Sequence, residues 1–201
     1  MNPKKLVTIS ILFVCLYAFS GCKSEKVAYN DFIYDDKVTW SSSYSDIVGF
    51  YGEPDNITFY NDSLSGDPIV RLVFDNTSVV GINGFERTIM FHEKTGDIFK
   101  IALRYYTENK NDISNIKEYY KKVNDAIQSK YGVATETSGE QSSGLSYCSA
   151  SWNNIIEDVH VELRYGYISD SGYILLIYES KRKTNKIINS DLPINNATAT
   201  P

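Results

Sequence analysis

Only two histidines and three cysteines occur in the 201-residue chain. His92 and His160 each stand alone, without a ligand-spaced partner such as H-x-x-x-H, so neither a histidine metal centre nor an acid–base pair built on them is expected. Three cysteines are too few for a disulfide framework. G-x-S-x-G, Walker, G-x-G-x-x-G and Cys-x-x-Cys motifs are missing, so a non-enzymatic protein without a cofactor or metal is expected. Positive charge is also short, with 20 Lys+Arg against 25 Asp+Glu. Between residues 27 and 180 the count is 12 against 23, a balance of -11, which disfavours nucleic acid as a partner. No long hydrophobic run is present either. The longest, Leu6 to Phe19, would rise about 21 Å as a helix against a bilayer core of about 30 Å, too little for a retained span.

What is present begins with an address. Lys4 and Lys5 precede that apolar run, and Ser20-Gly21 supplies small residues before Cys22, the pattern of an export signal over residues 1–21. Ala18-Phe19-Ser20-Gly21-Cys22 resembles the lipobox of bacterial lipoproteins, with Phe19 where that family usually has Leu. The resemblance implies a diacylglyceryl thioether on Cys22 and further acylation, palmitate being a usual chain, after cleavage. One acyl chain holds a protein only marginally and several hold it permanently, at about 0.8 kcal/mol per buried methylene. Lys23 rather than Asp follows the cysteine, which by the family's sorting logic implies the outer membrane, with either its periplasmic or its surface side left open. Cys15 leaves with the signal and Cys22 carries lipid, so Cys148 is the one free thiol expected in the mature chain.

Residues 22–39 lack a clear period and read as a tether, and 181–201, with four basic residues, one acid and many Asn and Thr, as a disordered polar tail. The body is expected over 40–180. Inside it a pattern recurs. Ser43 and Asp46 suit the start of a short helix whose stripe is Tyr44, Ile47, Val48 and Tyr51, stopped by Gly52. Ile116, Tyr120, Val123, Ile127 and Tyr131 form a second stripe, stopped by Gly132.

After each helix come strands. Val70–Phe74 precedes Asp75-Asn76, and Cys148–Trp152 precedes Asn153-Asn154. Hairpins follow, Thr88–His92 with Phe99–Tyr105 and Val159–Tyr167 with Tyr173–Tyr178, turning at Thr95-Gly96-Asp97 and Asp170-Ser171-Gly172. The reading is α+β, two α-β-β-β units over about 40–110 and 111–180, forming an antiparallel sheet with the helices packed on one face. Alternation sends Ile89, Phe91, Phe99, Ile101, Leu103 and Tyr105 inward in one unit and Val159, Val161, Leu163 and Tyr165 in the other. Lys100, Arg104, Tyr106, His160, Glu162 and Arg164 take the opposite face.

Tyr44-Ser45-Asp46-Ile47-Val48-Gly49-Phe50-Tyr51-Gly52-Glu53-Pro54 is similar to the short helix and Leu-Gly-x-Pro stop of small outer-membrane lipoproteins of the SmpA/OmlA type. Phe91-His92-Glu93-Lys94-Thr95-Gly96-Asp97-Ile98 is similar to their last hairpin. A tandem of two such units resembles the β-lactamase-inhibitor-protein-like fold. The second unit departs from the pattern at Val133-Ala134. The resemblance implies a helix-on-sheet layer and a protein-binding role without catalysis.

The remaining chemistry is thin. Asp158, His160 and Glu162 alternate onto one strand face but look like a mixed-charge surface, and Asp62-Ser63-Leu64-Ser65-Gly66-Asp67 has oxygen donors without calcium-loop spacing. Cys148 shares a strand face with Ala150 and Trp152, the setting of a buried thiol. Asp35-Asp36 and Glu157-Asp158 do not make a glycosidase pair, because adjacent residues point apart. Sixteen tyrosines are the one excess, and Tyr106, Tyr119 and Tyr167 fall outside the core stripes. The expected function is a membrane-tethered module that holds another envelope protein, with Arg104, Tyr106, His160 and Arg164 as candidate contacts. A glycan or small-ligand binder is the alternative, and a hydrolase the least expected.

Overall fold

The two helices among the described residues are cut at glycines. Ser43 Oγ accepts from the Asp46 amide at 3.1 Å while the Ser43 amide donates to Asp46 Oδ2 at 2.9 Å, so the capping box read from sequence starts α1, Tyr44–Tyr51. Its amide ladder ends at Gly52, which donates to Val48 at 2.8 Å with φ 83°. The longer α2, Lys110–Tyr131, starts on the Asn109 side chain and ends the same way, Gly132 donating to Gln128 at 2.8 Å with φ 85°. Only glycine holds such a φ without a Cβ clash.

The computed structural model describes residues 37–138, 147–153, 159–168, 170–180 and 192–193. Following α1 are β1 (Asn56–Asn61), β2 (Pro68–Val79), β3 (Ile82–His92) and β4 (Ile98–Thr107). Following α2 are β5 (Glu136–Ser138), β6 (Tyr147–Asn153), β7 (Val159–Ile168) and β8 (Ser171–Ser180). They form one antiparallel sheet in the order β1-β2-β3-β4-β8-β7-β6-β5, so the chain is α+β. Four strands follow each helix, not the three expected. The additional ones, β1 and β5, are the two sheet edges, where pairing on one side only leaves a weak sequence signal.

Alternating strand residues build one core with helix residues Ile47, Ile116, Val123 and Ile127. Ile101, Leu103 and Tyr105 of β4, Val159, Val161, Leu163 and Tyr165 of β7, and Ile174, Leu176 and Tyr178 of β8 are buried in it. Arg87 of β3 is a buried cation on this side, its guanidinium 3.7 Å over the ring of Tyr51, which clasps the end of α1 to the sheet.

Several expectations shift. Phe99 does not join the core: Phe91 pairs with Ile98 and Met90 with Lys100, and the extra residue between them turns Phe99 onto His92, ring centroids 4.4 Å apart. Asp75-Asn76 is no turn. Asn76, at φ 56°, sits in a bulge of a strand that runs on to Val79, and the chain reverses at Val80-Gly81. Tyr119 and Tyr167 are packed against the core, leaving Tyr106 as the exposed one of the three. The body begins before residue 40, since Val38 is fully buried. In the segment expected as a polar tail, Leu192 is 7% exposed and belongs to the core. Among the described residues no helix is long and apolar enough to cross a membrane.

Gly172 is a packing residue, not the turn position expected of it. A Cβ there would lie 2.7 Å from Ile116 Cγ1, so glycine lets α2 approach β8. Gly172→Ala is expected to lower stability by about 1–3 kcal/mol, the usual range for overpacking, measured by urea denaturation. A variant as stable as the parent would show that α2 does not press on β8.

Candidate binding face

The β4:β8 and β8:β7 registers fix which side chains lie together on the sheet face turned from the core. Arg104 pairs with Leu175, which pairs with Arg164. One row toward one end, Tyr106 pairs with Tyr173 and Tyr173 with Gly166. In the other direction Ala102 pairs with Ile177 and Ile177 with Glu162, then Lys100 with Glu179 and Glu179 with His160. All four candidates from the sequence therefore share this face. Arg104 and Arg164 flank Leu175 on neighbouring strands, Tyr106 lies one row above them, and His160 lies two rows below.

Carboxylates orient the arginines. Arg104 Nη2 donates to Glu86 Oε2 at 2.8 Å, and Arg71 Nη2 lies 3.5 Å from the other oxygen of that carboxylate. Arg164 donates twice to Glu162, from Nε at 2.6 Å and Nη2 at 2.7 Å. The side chains of Arg104 and Arg164 stay 56% and 44% exposed, so these pairs position the guanidinium groups more than they stabilise the fold, contributing about 0–1 kcal/mol each. Val73 and Thr88 are buried on this same face, in the row that the diagonal Arg71–Glu86 pair crosses. Beyond them, half-buried Ala102, Ile177 and Leu175 give the face an apolar centre flanked by oriented charge.

Tyr106 is half exposed, its hydroxyl held by Ser171 Oγ at 2.8 Å and Glu108 Oε1 at 3.1 Å. Beside it the Tyr173 ring lies against the backbone of Gly166, where a Cβ would meet the ring at 2.6–2.7 Å. The glycine lets the ring lie flat. His160 is tied down, Nδ1 lying 2.6 Å from Asn153 Oδ1.

Sequence reasoning did not single out Leu175, Tyr173, Gly166, Glu86 or Arg71. A signal existed for the first: Tyr173-Ile174-Leu175-Leu176-Ile177-Tyr178 is apolar on both faces, the mark of a central strand. Glu162, two residues before Arg164, was visible as a same-face neighbour, whereas Glu86 opposite Arg104 and diagonal to Arg71 was not, because cross-strand neighbours are invisible until register is known.

Asp62 and Cys148 are held in local structural contacts. Asp62 Oδ1 accepts from the amides of Leu64 and Ser65 at 2.9 and 2.8 Å, closing the β1–β2 turn on itself. Cys148 faces the core, its Sγ 3.7 Å from the Tyr120 hydroxyl, and burial pushes the Tyr120 phenol well above its ordinary value. Among the described residues no three His, Cys, Asp or Glu side chains gather as a cation-holding group. Asp35, Asp36, Glu157 and Asp158 lie outside the described residues, as do the signal and Cys22.

Set beside known proteins, the chain matches no family model, no curated protein and no solved structure.

The Ser65 and Leu64 amides hold the Asp62 carboxyl below its usual range. A carboxyl depressed by folding supports the turn above the ordinary aspartate value, about 3.9, and that support is lost as pH falls through the lower folded value. The amide resonances of Leu64 and Ser65 should therefore titrate together at a value below 3.9 in an NMR pH series. Asp62→Asn should abolish the titration. An ordinary or raised value would mean the turn is open in solution.

Proposed function

We propose that this chain is an exported, outer-membrane-anchored lipoprotein whose body is a non-enzymatic module holding another envelope protein on the face that carries Arg104, Leu175 and Arg164. The single observation behind the reading is that row: an apolar centre between two half-exposed guanidinium groups already oriented by Glu86 and Glu162. Arginine beside buried apolar surface is the composition of energetic anchors at protein interfaces, and pre-ordering the side chains lowers the entropy lost on binding. Anchoring through Cys22 rests on the lipobox-like Ala18–Cys22 segment.

The body is read as two related units with both helices on one face, akin to the SmpA/OmlA-type lipoproteins in tandem. Supporting this, Gly52 and Gly132 end their helices alike, and three residues later Asp55 donates to Val73 and Thr135 to Ser151, each at 2.8 Å.

The binding test is a photo-crosslinking amino acid placed at Arg104 or Arg164, with Lys121 on α2 as control, in living cells. The same partner should be captured from both face positions and not from the control. Alanine at Arg104, Leu175 or Arg164 should then weaken that partner's affinity by about 2 kcal/mol, roughly thirtyfold, with fold stability at the two arginines changing by no more than about 0.5 kcal/mol. Uniform affinity across the set would move the binding surface to the loops. Attachment is tested separately: Cys22→Ala should abolish fatty-acid labelling, and labelling that persisted would refute the anchor.

One observation favours a second reading, a glycan ligand. Tyr106 and the flat Tyr173 ring over Gly166 make a two-ring platform beside the Glu108 acceptor. A sugar stacks on such rings through its C–H face. Glycan binding lost in Tyr173→Ala, with no protein captured at Arg104, would select it.

A further inference from the structure

Among the described residues, the strand that ends the sheet at β1 lacks the devices that usually guard an edge. Its sequence, Asn56-Ile57-Thr58-Phe59-Tyr60-Asn61, has no charge and no proline, and its pairing with β2 runs through six residues without a register shift. Lysine, proline, a bulge or a covering loop is the ordinary protection against edge-to-edge pairing.

The direction of its backbone groups follows from two hydrogen bonds. Asp62 donates to Asp67 across the β1–β2 hairpin at 2.8 Å, and Glu93 donates to Pro68 at 3.0 Å, which turns the Pro68 carbonyl toward β3. Bonded and non-bonded pairs alternate along an antiparallel ladder. Asn56, Thr58 and Tyr60 therefore address β2, through Val73, Arg71 and Ile69. The N–H and C=O groups of Ile57, Phe59 and Asn61 point away from the sheet.

We infer that β1 pairs with β1 of a second copy of this chain, antiparallel about a twofold axis through Phe59. In that register Phe59 bonds Phe59 of the other copy and Ile57 bonds Asn61 in both directions, so every outward group of those three residues is used, six hydrogen bonds in all. Thr58 then stands opposite Tyr60 in the closer, non-bonded pairs, on the face turned from the core. Three features select a second copy over another occupant. An identical antiparallel strand reproduces the donor and acceptor spacing by symmetry. The strip carries no charge, so two acidic chains meet without like charges opposed. The sheet's other edge, β5, has three described residues against the six of β1, so head-to-tail pairing of the described strands forms fewer bonds, and the twofold closes after two chains instead of growing a fibre. One strand pair is a small interface, so the dimer is weak and concentration-dependent.

The full-length double variant Thr58→Cys, Tyr60→Cys tests it. Mild oxidation should yield a reducible dimer band that the wild-type chain, with its native cysteines alone, does not give. Ile57→Pro added to that pair removes an outward N–H without touching the β1:β2 ladder, and should cut the dimer yield at least tenfold with an unchanged melting temperature. If Ile57→Pro lowers the melting temperature, Ile57→Lys, which keeps the backbone, should cut the yield instead. No dimer above the wild-type level, a yield indifferent to both changes at residue 57, or a cross-link to a different protein would overturn the inference. Because at least two strands separate β1 from β4, β8 and β7, partner capture at Arg104 and Arg164 should survive these variants, so loss of one property is distinguishable from loss of the other.

Discussion

The pairing of β4 with β8 is the constraint on which the rest of the molecule depends. It joins residues about seventy positions apart over eight consecutive pairs, Lys100 with Glu179 through Thr107 with Gly172, and makes one sheet of two four-stranded halves. On one side it sets Ile101, Leu103 and Tyr105 against Tyr178, Leu176 and Ile174, the centre of the single core. On the other it sets Arg104 beside Leu175. A slip of one residue would send both sets to the wrong sides, burying Arg104 and exposing Leu103. Long-range pairing closes a large loop before it gains any contact, so this junction is also the costliest element to form.

The face turned from the core follows from that junction. Its guanidinium groups are held by carboxylates on neighbouring positions, Glu86 across β3 and Glu162 along β7, while aliphatic residues fill the row between them. Exposed pairs of this kind stabilise a fold little, because water already solvates both partners. Their effect is geometric. They keep two cations pointing outward around an apolar centre.

Glycine is used where two surfaces approach too closely for a side chain. Gly172 admits Ile116 of α2 on the core side, and Gly166 admits the Tyr173 ring on the other. The two lie on adjacent strands, so the sheet is thinned from both sides near the same end. Arg87 under Tyr51 performs the opposite task, filling the space below the end of α1 with a long side chain whose charge the ring partly satisfies.

What could be read from the chain alone was local. The capping box of Ser43 and Asp46, the glycine stops of both helices, and the inward faces of β7 and most of β4 depend on hydrogen bonds and sterics within a few residues, and sequence spacing records those directly. Only tertiary structure decided the rest. Asn56–Asn61 becomes a strand because β2 offers it a ladder, and Phe99 leaves the core because a bulge opposite Phe91 inserts one residue. Leu192 is buried because a distant core accepts it, and Leu175 lies between Arg104 and Arg164 because β4 and β7 both pair with β8. In each case the partner lies far along the chain, and no spacing within a segment encodes the register in which two remote segments meet.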